Sequence, residues 1–171
     1  NAFANSPEEA RLQDHYPLDV YLCAKCGHVQ LGHVLEGQFD NYAYVSGTSA
    51  VFRKHFEDYA QWCVDQFWLS PSDVVCEIGA NDGTLLKYFA SQHGLVGYAF
   101  EPAQNLHGAL RAAGAIVEGT YFTLEKAQYF VRAHGQVKLV IANNVLAHIN
   151  DLAEVVGGVE RILAPDGNFV F

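Results

Sequence analysis

Residues 74–86 read VVCEIGANDGTLL. An apolar run, Val74–Ile78, leads into Gly79; Gly83 lies four residues further on, and Leu85 and Leu86 open a helical pattern. A strand, a glycine turn and a helix in that order form the first step of an α/β unit. Gly79 admits a backbone conformation closed to other residues and keeps a side chain out of a ligand's path. Gly83 lets the next helix begin close by, with its free amides facing that ligand.

The same alternation continues from Asp73 onward. Apolar runs at Val96–Phe100, 115–117, 138–143 and 168–171 read as further strands. Helical patterns fall near 84–92, 103–113, 123–133 and 151–163. Short strands apolar on both faces, separated by helices, predict a doubly wound parallel sheet of Rossmann-like α/β class. One earlier helix is expected over 49–69, with Phe52, Phe56, Tyr59, Cys63 and Phe67 on one face, Ser49 as N-cap and Pro71 as the stop. Residues 1–47 differ: prolines, the pair Cys23/Cys26 and short alternations such as HVQLGHVL suggest strands and turns around a local centre. The expected boundary falls between 1–47 and 48–171.

Composition narrows the partners. The chain has 171 residues, half of them hydrophobic, and a net charge of −9. Few, scattered Lys and Arg leave no footprint for a phosphate backbone, so no nucleic acid is expected. No apolar run approaches the roughly 20 residues of a membrane span. Four unevenly placed cysteines do not make a disulfide framework, and a reduced, cytoplasmic setting is expected. The chain has no methionine, starts on Asn1 and stops on Phe171 inside the strand-like GNFVF, which reads as a piece of a longer protein.

The turn is Glu-x-Gly-x-x-x-Gly, not Gly-x-Gly-x-x-Gly. Asn81 and Asp82 stand where a dinucleotide site leaves bare amides for a pyrophosphate, and Glu77 precedes them. Carboxylates beside a pyrophosphate cost Coulomb energy. They suit a ligand with an ammonium and no phosphate, as S-adenosylmethionine is. The second strand ends at Glu101, followed by Pro102, and an acidic group about 20 residues past the glycine turn is where ribose hydroxyls are gripped. In the next unit, VEGTYF, Tyr121 and Phe122 can border an adenine or simply pack. Strand 138–143 ends in IANNVLAHI, which places Asn143 and Asn144 at the ligand edge and His148 after them, as a structural or a functional imidazole.

EIGANDGTLL, FEPAQN and ANNVLAHI together resemble the S-adenosylmethionine-dependent sugar C-methyltransferases, which act on nucleotide-linked keto-deoxysugars. YPLDVYLCAKCGHVQL is similar to the second half of their zinc-binding domain, and NYAYVSGTS to a tyrosine-rich segment that reaches their active site. The resemblance runs through nearly the whole chain in order. It implies a small-molecule substrate, half a four-thiolate zinc site at Cys23 and Cys26, a cofactor site, and part of a catalytic site at His148, Tyr44 and Tyr42. The second Cys pair would lie upstream of Asn1 and the main base downstream of Phe171. From the residues alone, two thiolates followed by Gly27 make a zinc knuckle, with His28 and His33 able to complete a tetrahedron, while redox and inert roles stay open. Cys63 and Cys76 read as core thiols. An O- or N-methyltransferase and a non-catalytic zinc-knuckle binding module are the other readings of the whole chain.

Overall fold

The computed structural model describes residues 4–35 and 37–171. The chain divides into two compact units, 1–39 and 40–171. The smaller unit begins with α1, Pro7–Leu12, whose N-cap Ser6 accepts the Glu9 amide through its hydroxyl at 3.1 Å. An antiparallel pair follows, β1 (Val20–Leu22) and β2 (Val29–Leu31), with Tyr21 opposite Gln30. None of the described residues of this unit is buried.

The larger unit holds a short 3-10 turn (Ser46–Thr48), α2 (Ala50–Phe67), β3 (Val74–Ile78), α3 (Thr84–His93), β4 (Val96–Phe100), a 3-10 turn (Gln104–Leu106), α4 (His107–Ala112), β5 (Ile116–Glu118), α5 (Leu124–His134), β6 (Val137–Ile141), a 3-10 turn (Leu146–His148), α6 (Leu152–Ile162) and β7 (Leu163–Val170). Its five strands form one sheet in the order β5-β4-β3-β6-β7, and every pairing is parallel. This is the expected doubly wound α/β class. β3 and β4 match their expected bounds.

Four elements depart from expectation. β6 runs Val137–Ile141, so Asn143 lies past its end and not inside a strand over 138–143. α2 starts at its Ser49 cap but ends at Phe67, before Pro71, because Trp68 turns left-handed (φ 48°) and returns its amide to the Val64 carbonyl. The helix expected over 103–113 is split, its first turn tightening into the 3-10 turn where the Leu106 amide reaches the Ala103 carbonyl. β7 begins at Leu163, directly after α6, and not near 168.

Strand alternation sends successive side chains to opposite faces. On one face Val75, Leu139 and Ile141 pack with Ala60 and Cys63 of α2, Leu85, Leu86 and Phe89 of α3 and Leu110 of α4. On the other, Cys76, Ile78, Tyr98 and Phe100 pack with Phe130 of α5 and Val155, Val159 and Ile162 of α6. Both faces are covered, as a parallel sheet requires. Asp151 and Thr123 cap α6 and α5 through side-chain oxygens. The carboxyl ends of β3, β4 and β6 therefore lie side by side at one edge.

Candidate functional site

That edge is built on the glycine turn. Gly79 (φ +70°) donates its amide to the Phe100 carbonyl at 2.8 Å, and a Cβ on it would stand 2.5 Å from Val145 Cγ2. Asn81 is also left-handed (φ +53°), which aims its amide at Glu101 Oε2, 2.8 Å away. Glu101 Oε1 accepts the Ala103 amide at 2.9 Å. The carboxylate thus bridges the turns after β3 and β4 while lone pairs remain on both oxygens. Burial raises its pKa, and the Ala103 and Asn81 amides oppose that rise.

Glu77 is buried at the end of β3, and its Oε2 has no hydrogen-bond partner among the described residues. Burial first, then the charges of Glu101 and Asp82, push its pKa well up. Asn143 follows β6, which pairs beside β3, and its buried Nδ2 is likewise unpartnered. Its Oδ1 faces the Tyr59 hydroxyl of α2 at 3.5 Å. Desolvation raises the pKa of Tyr59 and pushes the neighbouring Cys63 thiol up to about 12. An orphaned acceptor and an orphaned donor at adjacent strand ends complement a zwitterion: Glu77 would take an ammonium, Asn143 a carboxylate. The amino-acid end of S-adenosylmethionine is such a group.

The glutamate has a consequence for pH. A carboxyl whose folded pKa is raised keeps its proton longer in the native chain than in the unfolded one, so the native state binds more protons as pH rises above the ordinary glutamate range. Stability is fully present below that range and declines upward through the raised folded value. Melts at pH 5 and pH 8 should show the unliganded chain less stable at pH 8, and Glu77→Gln should flatten that difference. An unchanged slope in Glu77→Gln would place the effect elsewhere.

The other expected site residues fall as follows. Asp82 Oδ1 accepts the Thr84 hydroxyl (2.8 Å) and amide (3.2 Å), and Oδ2 accepts the Gly47 amide (2.9 Å). Asn81 Oδ1 accepts the Ser46 amide at 2.9 Å, and its Nδ2 donates to the Tyr44 carbonyl at 3.0 Å. Both side chains are engaged by residues 44–47. Gly83 (φ +78°) sits against Leu110 and Ala113. Pro102 lies between Glu101 and Ala103. Tyr121 is 43% exposed and donates to Asp40 Oδ1 at 2.9 Å. Phe122 is in the core, edge-on to Phe100 at 4.9 Å. Asn144 is exposed and left-handed (φ +55°), and His148 ends the 3-10 turn that follows β6. Tyr42 is bracketed by Asn105, whose Oδ1 accepts the Tyr42 amide (3.0 Å) and whose Nδ2 donates to the Tyr42 carbonyl (2.8 Å). Tyr44 is 49% exposed. Sequence reasoning missed Tyr59 and Asn105; FEPAQN contains Asn105, but its spacing carries no sign of Tyr42.

In the small unit Cys23 and Cys26 are exposed, free thiols. The Cys26 amide, then the Lys25 amide and the Cys26 thiol, lower the pKa of Cys23. Gly27 (φ +73°) closes this turn onto the Cys23 carbonyl at 2.8 Å. Among the described residues no three His, Cys, Asp or Glu side chains converge to hold a metal ion, so His28 and His33 do not complete a set. Tyr16 stacks on His33 at 5.1 Å. Among the described residues no helix is long and apolar enough to cross a membrane.

Comparison with known proteins gives this geometry a family. The family described as "Methyltransferase domain" matches residues 52–171. C-methyltransferase NovU from Streptomyces niveus is 35% identical over 156 residues, covering 90% of this chain and 37% of that protein. The chain therefore spans little more than a third of that relative's length. Among solved structures, precorrin-6y C5,15-methyltransferase from Geobacter metallireducens superposes with a TM-score of 0.52 at 16% identity, over 75% of this chain and 65% of that one. Magnesium protoporphyrin IX methyltransferase from Synechocystis, solved with bound S-adenosylhomocysteine, gives 0.51 at 15% identity, over 73% and 59%. The chain belongs to the methyltransferase-domain family. Its larger unit is a methyltransferase domain with a Rossmann-like parallel sheet.

Proposed function

We propose that the protein methylates carbon on a nucleotide-linked keto-deoxysugar, through an enolate, with S-adenosylmethionine as methyl donor. The observation that carries the cofactor half is the pair of orphaned atoms, Glu77 Oε2 and Asn143 Nδ2, beside Glu101 at the same sheet edge. The carbon half is supported by the 35% identity to a protein named as a C-methyltransferase. The sequence resemblance to sugar C-methyltransferases supports the sugar.

The cofactor supplies an electrophilic methyl on a sulfonium. The chain's residues would do the rest. Glu101 would hold the ribose, with Pro102 fixing the turn after it. Glu77 and Asn143 would hold the amino-acid end, and Gly79 and Gly83 keep the approach clear. Asn144 and Tyr121 would border the bound cofactor, and Phe122 would back it from the core. A carbon acid next to a carbonyl must lose a proton before its carbon can attack the methyl in line. His148, Tyr44 and Tyr42 are assigned to relay that proton or to donate to the enolate oxygen. Asn81 and Asp82 shape the turn.

Cys23 and Cys26 would supply two thiolates of a structural zinc site. The lowered Cys23 pKa suits a ligand thiolate, and a unit with no buried described residue needs something other than an apolar core to hold it. Free thiols of this kind suit a reduced, cytoplasmic setting.

Calorimetry of the chain with S-adenosylhomocysteine, with NADH as control, tests the reading. Micromolar binding of S-adenosylhomocysteine alone is expected. NADH binding alone would overturn the cofactor assignment, and binding of neither would remove its support.

A further inference from the structure

We propose that Asn105 and Asn81 are positioning residues that latch the tyrosine-bearing segment 40–47 across the ligand edge of the sheet. The inference rests on the cofactor reading above. It starts from where the segment is fastened. Asp40 accepts the Tyr121 hydroxyl (2.9 Å) from the turn after β5, and its carbonyl accepts the Gln104 amide (3.1 Å) from the turn after β4. Tyr42 is held by Asn105, also after β4. Tyr44, Ser46 and Gly47 are held by Asn81 and Asp82, after β3. The strand order is β5-β4-β3. The segment therefore crosses three neighbouring strand ends in sequence, over the edge where ligands of such sheets bind.

The two asparagines do matched work. Asn105 offers an acceptor and a donor to one residue, Tyr42, as a paired strand would. Asn81 does the same to Tyr44 and Ser46 with its side chain while its amide holds Glu101 Oε2. A neutral carboxamide suits this task, since it can donate and accept together and a carboxylate cannot. Its left-handed backbone lets Asn81 face both ways. The contacts form one line, Glu101 to Asn81 to Tyr44, so a ligand settled on Glu101 holds the tyrosine segment in place. Arg53 fastens the far end by donating to the Gly47 carbonyl at 2.6 Å. On this reading Asn81 and Asp82 act on the reaction through the segment they hold.

The test is hydrogen exchange of the chain, with and without S-adenosylhomocysteine, in the wild type and in Asn105→Ala, Asn105→Asp and Asn81→Gly. Glycine tolerates the left-handed position, so Asn81→Gly removes the carboxamide without adding strain. Wild-type amides of Tyr42, Ser46 and Gly47 are expected to be protected, and more so with ligand. Asn105→Ala should speed exchange over 40–47 by about tenfold, leave β3–β6 exchange unchanged, and weaken S-adenosylhomocysteine by about threefold or more. Asn105→Asp, which keeps the acceptor alone, should fall between wild type and Asn105→Ala. Asn81→Gly should release Ser46 as Asn105→Ala releases Tyr42. Wild-type exchange over 40–47 in both Asn105→Ala and Asn81→Gly overturns the latch, and so does loosening with no change in ligand affinity. A wild-type chain that binds no S-adenosylhomocysteine sinks the cofactor reading instead, and is told apart because the exchange pattern of the unliganded chain still decides whether the asparagines hold the segment.

Discussion

Glu101→Ala should weaken S-adenosylhomocysteine binding by more than any other single side-chain truncation at this edge. Two effects add. The carboxylate accepts the Asn81 and Ala103 amides, and removing it leaves both donors without their partner in a part of the chain where Glu101 itself is only 6% exposed. A buried donor so stranded costs about 1–3 kcal/mol. On the proposed reading the ribose hydroxyls would also lose a charged acceptor, worth about 1.5–3 kcal/mol. Not all of this reaches binding, because the unliganded chain also suffers, so affinity should fall roughly 10- to 100-fold, about 1.4–2.8 kcal/mol. Glu101→Gln keeps one acceptor and should lose less. Calorimetry on both variants checks the order, and Glu101→Ala binding as the wild type does would remove Glu101 from the site.

Gly79→Ala should be the most destabilising of the conservative substitutions at this edge. The left-handed backbone (φ +70°) costs a residue with a Cβ about 1–2 kcal/mol. The new methyl would stand 2.5 Å from Val145 Cγ2, and making room in a packed neighbourhood costs about 1–3 kcal/mol more. A loss of about 2–5 kcal/mol is a large share of the 5–15 kcal/mol that holds a typical domain. Gly157→Ala is the control. Gly157 lies inside α6 with nothing within 4 Å of an added Cβ, so alanine there should be neutral or stabilise by up to about 1 kcal/mol. Thermal melts of the pair settle it: equal midpoints would mean that the turn relaxes around the methyl.

Both predictions concern residues that were legible in the sequence. Gly79 and Glu101 announce themselves because their meaning is local: a glycine closing an apolar run, an acid ending the next. The bounds of β3 and β4 were legible for the same reason, as uninterrupted runs between turn residues. Asn81 and Asp82 were read for their charge and hydrogen-bonding capacity, which suit an ammonium. The structure turns both side chains toward Ser46 and Gly47, partners far back in the chain that no periodicity reveals. Tyr59 was read as one of several apolar-face residues of a helix, and its hydroxyl's approach to Asn143 depends on how α2 lies on the sheet. The start of β7 was missed because α6 passes into it with no intervening loop, and a turn is what marks a boundary in sequence.

The strand order also has a consequence in time. β3 pairs with β4 through a short βαβ crossover, Cys76 opposite Tyr98, and with β6 only after two further helices have formed, Cys76 opposite Val140. Loop closure makes distant pairings slower than near ones. The half of the cleft that carries Gly79, Asn81 and Glu101 can therefore assemble from one contiguous stretch, while the half that carries Asn143 and Val145 must wait for the rest of the sheet. A growing chain thus has Glu77 and the Glu101 carboxylate in place before β6 brings Asn143 to the same edge.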